Sequence, residues 1–245
     1  QFAELLTGMT INHKIGATVF KPQQAEPGTE EVLGAIYGDD RPDIGDILEA
    51  LDDLAVHPRT GRHIAKKLAT HFVSDTPSEG LITHVESAFN RTGGRLVAVY
   101  QALLEHPESW APEALKVKQP FDFLVSSVRA AGVGADAIAP FLKHKGRLSL
   151  PRALRSLNQT MLQAPGPDGW PEEAERWITA QGLAARLQWA ARLGRDLESR
   201  TDPRHYLSIA LGDRASPEVT FAATNAAEKW EGIALILASP EFNRR

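Results

Sequence analysis

The sequence predicts a mainly α-helical protein, a multi-helix orthogonal bundle with a small β-hairpin or irregular β excursion near its N-terminus. Three observations carry that expectation. Apolar residues recur with a helical period from Asp43 onward, proline steps followed by glutamate mark helix starts, and a strand-like mixture of β-branched residues and glycine stops before Asp43.

Taken in order, the opening QFAELLTG reads as a helix end. The segments TINHKIGATVFKP and EEVLGAIYG flank the turn-like QQAEPGT and read together as the β excursion. Residues 1–42 are expected to pack on a single-domain bundle made by residues 43–245. Within that bundle Ile47, Leu48, Leu51 and Leu54 form one stripe, and Leu81, Ile82, Val85 and Phe89 a second. Leu96, Val99, Tyr100, Leu103 and Leu104 form a third; Phe121, Leu124, Val125 and Val128 form a fourth. Burying one Leu, Ile or Phe stabilises by about 1.5–3 kcal/mol, so each stripe outweighs intrinsic propensity and must find a cover.

Helix starts are read at TPSE, HPES, APEA, SPEV and SPEF, because proline suits the first helical position and an acid there meets the positive end of the helix dipole. Thr76 to Glu79 has capping-box spacing, and Asp43 or Asp46 reads as a further helix start. The adjacent glycines of TGGR read as a left-handed helix stop. Stripes and breaks together imply about nine to eleven helices. The similar corners LDDLAVHP, YQALLEHP and IALILASP recur at unequal intervals, which excludes a solenoid array.

The chain of 245 residues is 42% apolar, enough for an ordinary core, and its net charge of −4 argues against wholesale attraction to nucleic acid. Without cysteine it has no disulfide, thiolate nucleophile or cysteine zinc site. No apolar run reaches the roughly 20 residues of a transmembrane helix. No cofactor motif is present: the G-x-S-x-G elbow, the P-loop and the dinucleotide fingerprint are all missing.

One local concentration of charge stands out. HPRTGRHIAKKLATHFVSD, residues 57–75, carries four lysines and arginines and three histidines. On a helical wheel Ile64, Ala65, Leu68, Ala69 and Phe72 share the dry arc, whereas Arg62, His63, Lys66, Lys67 and Thr70 share the wet one, with Arg59 just upstream. The wet arc is either an anion-binding surface or a solvated face neutralised by Asp43, Asp46, Glu49, Asp52 and Asp53 of the preceding helix. His63 and His71 are too far apart for an i, i+4 metal pair, and GDDRPDIGD lacks a calcium-loop pattern, so no metal site is assigned. Prolines and glycines in APGPDGWPEEAERW hold Trp170 on a loop that enters a helix at Pro171; the ring either clamps a ligand or covers the core.

Four stretches jointly carry a family resemblance: LDDLAVHPRTGRHIAKKLATHFVSD (51–75), AFNRTGGRLVAVYQALLEHPESWAPEALKVKQPFDFLVSSVRAAG (88–132), LNQTMLQAPGPDGWPEEAERWI (157–178) and LASPEFNRR (237–245). In order and spacing the chain resembles the C-terminal half of the bacterial family catalogued as domain of unknown function 1800. The resemblance implies an exported bacterial protein with a further helical portion on its N-terminal side, in keeping with a chain that begins at Gln1 inside a helix-like segment. It departs from the family at Ala25-Glu26, where His-Asp is common, and at Arg95, where an acid often follows the double glycine. No reaction is carried over. The expected role is a non-catalytic binding or assembly module acting on a partner protein or an anionic envelope polymer, with Arg59, Arg62, His63, Lys66, Lys67 and Trp170 as its binding residues. The alternative is part of a hydrolytic enzyme whose catalytic residues lie in the N-terminal portion. Either way, apolar surface meant for that portion is expected to be exposed or covered by a second copy in a homodimer.

Overall fold

A computed structural model describes residues 1–134, 139–142 and 148–245. The chain divides into two compact units, one of residues 1–68 and 78–106, the other of residues 69–77 and 107–245.

The first unit opens with a single helical turn, α1 (Phe2–Leu5), followed by two antiparallel hairpins. Strands β1 (Met9–Asn12) and β2 (Ala17–Phe20) pair with Thr10 opposite Val19, and β3 (Glu30–Val32) and β4 (Ala35–Tyr37) pair with Glu30 opposite Tyr37. The two strand-like segments therefore do not pair with each other across QQAEPGT. Each folds on itself because each contains its own turn. Leu33 and Gly34 both adopt positive φ, 52° and 88°, as the two-residue loop of a tight hairpin requires.

Helix α2 (Ile44–Val56) starts on Asp43, whose carboxylate accepts the Gly45 N–H at 2.6 Å. Helix α3 runs Pro58–Phe72, α4 Glu79–Arg91 and α5 Leu96–Glu105. Between α4 and α5, Gly93 and Gly94 take φ of 60° and 79°, the left-handed stop read from TGGR. The cap of α4 is Ser78, whose hydroxyl accepts the Leu81 N–H, and not Thr76 as the capping-box spacing implied. Ser74 Oγ takes the Thr76 N–H instead, which holds Thr76 in a turn two residues ahead of the helix. The stripes have the expected period; that of α4, Leu81, Ile82, Val85 and Phe89, is wholly buried, whereas those of α2 and α5 are only half covered. On α2 Ile47 and Ala50 are buried while Leu48 and Leu51 are exposed; on α5 Val99 and Leu103 are buried while Tyr100 and Leu104 are exposed.

The second unit holds α6 (Pro120–Ala130), α7 (Ala139–Leu142), α8 (Leu150–Ser156), α9 (Ala174–Trp177), α10 (Ala180–Leu197), α11 (Pro203–Ala210), α12 (Pro217–Thr224), α13 (Lys229–Ala238) and α14 (Pro240–Asn243). Its core joins Phe123, Leu154, Trp189, Leu193, Tyr206, Ile233, Ile236 and Phe242. Helices α10 and α13 approach closely at Gly194, where a Cβ would come within 2.5 Å of the Trp230 carbonyl oxygen. Two of the buried aromatic polar groups are matched on Ser127: Trp189 Nε1 donates to its Oγ at 2.9 Å and the Tyr206 hydroxyl donates to its carbonyl at 3.0 Å. SPEV and SPEF do start helices, with Ser216 and Ser239 as caps. APEA does not. The chain beyond it is extended, and Lys116 exchanges backbone hydrogen bonds with Arg245 at 3.2 and 2.8 Å, so these amides serve a bridge to the C-terminus. Among the described residues ten α-helices exceed one four-residue turn, and the strands are confined to the two hairpins. No helix among the described residues is long and apolar enough to cross a membrane.

Candidate functional site

Helix α3 presents its five predicted basic positions, Arg59, Arg62, His63, Lys66 and Lys67, to solvent. Its covered side differs from the wheel. Gly61, Ala65 and Ala69 are buried at i, i+4 and i+8, Ile64 and Leu68 are half-buried, and Phe72 is 57% exposed rather than part of the core. The smallest side chains lie where the neighbouring helix comes closest. A Cβ on Gly61 would sit 2.7 Å from Phe89 Cδ1, so the Phe89 ring of α4 occupies the space a larger residue would need.

The acids expected to neutralise this face are not the ones that do so. Arg62 pairs with Glu79 at 2.7 Å and Glu86 at 3.0 Å, both on α4, and these two carboxylates raise its pKa above the ordinary arginine value. Asp53 of α2 instead accepts the Tyr37 hydroxyl at 2.8 Å. Among the described residues Arg59, Lys66 and Lys67 have no carboxylate within 4.0 Å. Three exposed, unneutralised cations therefore remain on the face, fixed by a helix packed through Gly61 and Ala65.

Trp170 is half-buried, its ring 6.0 Å from that of Trp177 at 60°. Trp177 is itself 4% exposed and donates from Nε1 to the Pro171 carbonyl at 3.0 Å. The loop does not enter a helix at Pro171; α9 begins at Ala174. Glu172 is drawn away from a first helical turn because its side chain serves another partner. One carboxylate oxygen faces His71 Nδ1 at 2.7 Å and the other faces Lys116 Nζ at 3.3 Å.

Sequence reading passed over this cluster. Lys116 lies in KVKQP, a stretch with no spacing signal, and its buried ammonium is visible only once Asp75 and Glu172 are brought to it. The histidines do not gather: His71 serves Glu172, while the His84 and His106 rings lie 5.5 Å apart. Among the described residues no group of three or more His, Cys, Asp or Glu is arranged to hold a metal ion.

Compared with models of known families, residues 1–244 match the family described as protein of unknown function (DUF1800). The chain belongs to this family. No curated protein and no solved structure matches it. Ala25, Glu26 and Arg95 have the following surroundings in the structure. Ala25 packs near Gly8, and the adjacent Glu26 N–H donates to Thr7 Oγ1 at 2.7 Å. Arg95 stands exposed ahead of α5, with no side-chain hydrogen bond to the helix end.

Proposed function

We infer that this family member is a non-catalytic binding module that engages an anionic polymer through the exposed face of α3. One observation carries the reading: Arg59, Lys66 and Lys67 stand in solvent without a carboxylate partner among the described residues, on a helix held from behind by buried Gly61 and Ala65. Charges held this way present a stable local potential although the net charge of the chain is −4. Such a surface recognises charge density along a phosphate- or carboxylate-bearing polymer and does not read a monomer sequence, so its binding weakens as salt screens it. His63 lies exposed on the same wet arc. The polymer class that fits an exported bacterial protein is the anionic polymer of the cell envelope.

Chromatography on an anionic resin tests this reading. The parent protein should be retained at low salt and elute as salt rises. Lys66→Gln with Lys67→Gln should elute earlier at unchanged helicity, because both side chains are exposed. A double variant that co-elutes with the parent, or a parent that never binds at low salt, would overturn it.

A further inference from the structure

A second positively charged feature lies in the other unit and shares no residue with α3. Helices α8 and α10 border an open groove of about 840 Å³, within the size range of small-molecule sites. Four arginines line it: Arg152 and Arg155 from α8, Arg192 and Arg195 from α10. Each pair has i, i+3 spacing, which puts both members on one side of their helix.

Among the described residues, the acids that normally accompany such a cluster are absent from its lining. No Asp or Glu lines the groove among the described residues, and none of the four arginines has a carboxylate within 4.0 Å among them. The sequence is depleted to match. SLPRALRS, residues 149–156, contains no acid, and α10 carries none before Asp196, which follows Arg195 and is not among the groove's lining residues. Four like charges facing one another repel, and protein surfaces ordinarily intersperse the two signs to avoid this. Arg195 is also held in place, its guanidinium 4.0 Å over the Trp230 ring.

We propose that this groove binds the diphosphate or triphosphate group of a small anionic ligand. Guanidinium groups are planar forks that match pairs of phosphate oxygens, and four of them offer more donors than one carboxylate or orthophosphate can use. Linked phosphates bring several charges and many acceptor oxygens into the least space. The hydroxyls of Ser149 and Ser156 and the amide of Gln188, also in the lining, supply further donors. Because the groove is open, whatever the phosphates are attached to projects outward. The recognised chemistry is therefore common to inorganic polyphosphates and to nucleoside di- or triphosphates.

Titration calorimetry on the full chain with inorganic triphosphate, pyrophosphate, orthophosphate, citrate and adenosine triphosphate tests the proposal. Triphosphate and pyrophosphate should bind at least about tenfold more tightly than orthophosphate or citrate, the difference four forks can read. Equal affinity for adenosine triphosphate and inorganic triphosphate assigns recognition to the phosphates alone; a gain of about tenfold for the nucleotide adds a nucleoside contact. Arg152→Gln with Arg155→Gln should weaken triphosphate about tenfold or more and leaves the Arg195 stack on Trp230 intact. Arg192→Gln serves as a second variant, and all the substituted side chains are exposed, so helicity should hold. Lys66→Gln with Lys67→Gln should leave triphosphate affinity unchanged, which separates this groove from the α3 face. Citrate or orthophosphate binding as tightly as triphosphate, or arginine variants that bind like the parent, would overturn the proposal.

Discussion

Lys116 and Asp75 form an ion pair in which the ammonium donates to the carboxylate while the Lys116 side chain is 1% exposed. The pair does not stand alone. Lys116 also donates to the Glu172 carbonyl at 3.0 Å, and the second Asp75 oxygen accepts the Ala174 N–H at 2.9 Å. Asp75 thereby links the extended segment at Lys116 to the start of α9, and Glu172 carries the chain of contacts on to His71. Taking an ammonium out of water is costly unless its protons are matched, and here three oxygens do so.

Removing one partner should therefore cost more than an exposed ion pair would. Asp75→Asn removes the charge and leaves one amide oxygen where the ammonium and the Ala174 N–H each had an acceptor, and should destabilise by about 3 kcal/mol. Lys116→Met should cost less, because the freed carboxylates of Asp75 and Glu172 remain 26% and 20% exposed and can reach water. Denaturant unfolding of both variants checks the ranking; a loss below about 1 kcal/mol for Asp75→Asn would place the pair with weak surface bridges.

The same cluster predicts acid sensitivity. Burial pushes the Glu172 carboxyl up, but the His71 hydrogen bond and charge together with the Lys116 ammonium outweigh it and hold the group below its ordinary 4.5. A carboxyl lowered on folding contributes stability that is complete above its unfolded value and lost as pH falls through the folded one. Glu172→Gln should thus be less stable than the parent at neutral pH, and the gap should close as pH falls below 4.5. Thermal melts across that range decide it; a gap independent of pH would mean that the ionised carboxylate contributes nothing.

Lys118 should add a dependence of the same sign at alkaline pH. Burial first, then the positive charges of Arg214, Arg186 and Arg245, push its amine down to about 8, against a smaller pull from Asp122. The folded protein then releases this proton before the unfolded chain does, so stability should rise as pH climbs from about 8 toward 10.5. Lys118→Met, which keeps an apolar stem against Phe242, should gain about 2 kcal/mol at neutral pH and lose the alkaline rise. Unfolding measured at neutral and at alkaline pH for parent and variant tests both halves.

Two helical glycines should respond oppositely to alanine. At Gly61 the added Cβ meets Phe89 Cδ1 at 2.7 Å and Asn90 Oδ1 at 2.9 Å, so the substitution should destabilise by about 1–3 kcal/mol. At Gly80 the nearest atom is Ser78 Oγ at 3.6 Å, an ordinary contact, and alanine should stabilise by about 0.5–1 kcal/mol. Equal shifts in melting temperature for the two variants would show that α3 does not depend on the close approach at Gly61.

What the sequence by itself determined are the features set within a few residues. The helical period from Asp43, a helix start at Asp43 or Asp46, the helix starts at SPEV and SPEF, and the glycine stop at Gly93 and Gly94 were all legible there. Each depends on φ preferences and on hydrogen bonds between near neighbours, which the local residues carry with them. The basic wet arc of α3 was legible for the same reason.

Only the tertiary structure decided which residues of a stripe are covered and which charges meet. Phe72 and Gly61 both lie where the wheel allows burial, yet the small residue is covered and the aromatic ring is not, because Phe89 needs the space beside Gly61. Arg62 finds Glu79 and Glu86 on the following helix rather than the acids before it, and Glu172 leaves a promising helix start for Lys116 and His71. Arg152 with Arg155, and Arg192 with Arg195, are each plain in the sequence as a pair, but nothing local says that the two pairs border one groove. Periodicity assigns a side chain to a face; the partner waiting at that face comes from a distant segment, and its arrival depends on how the whole core closes.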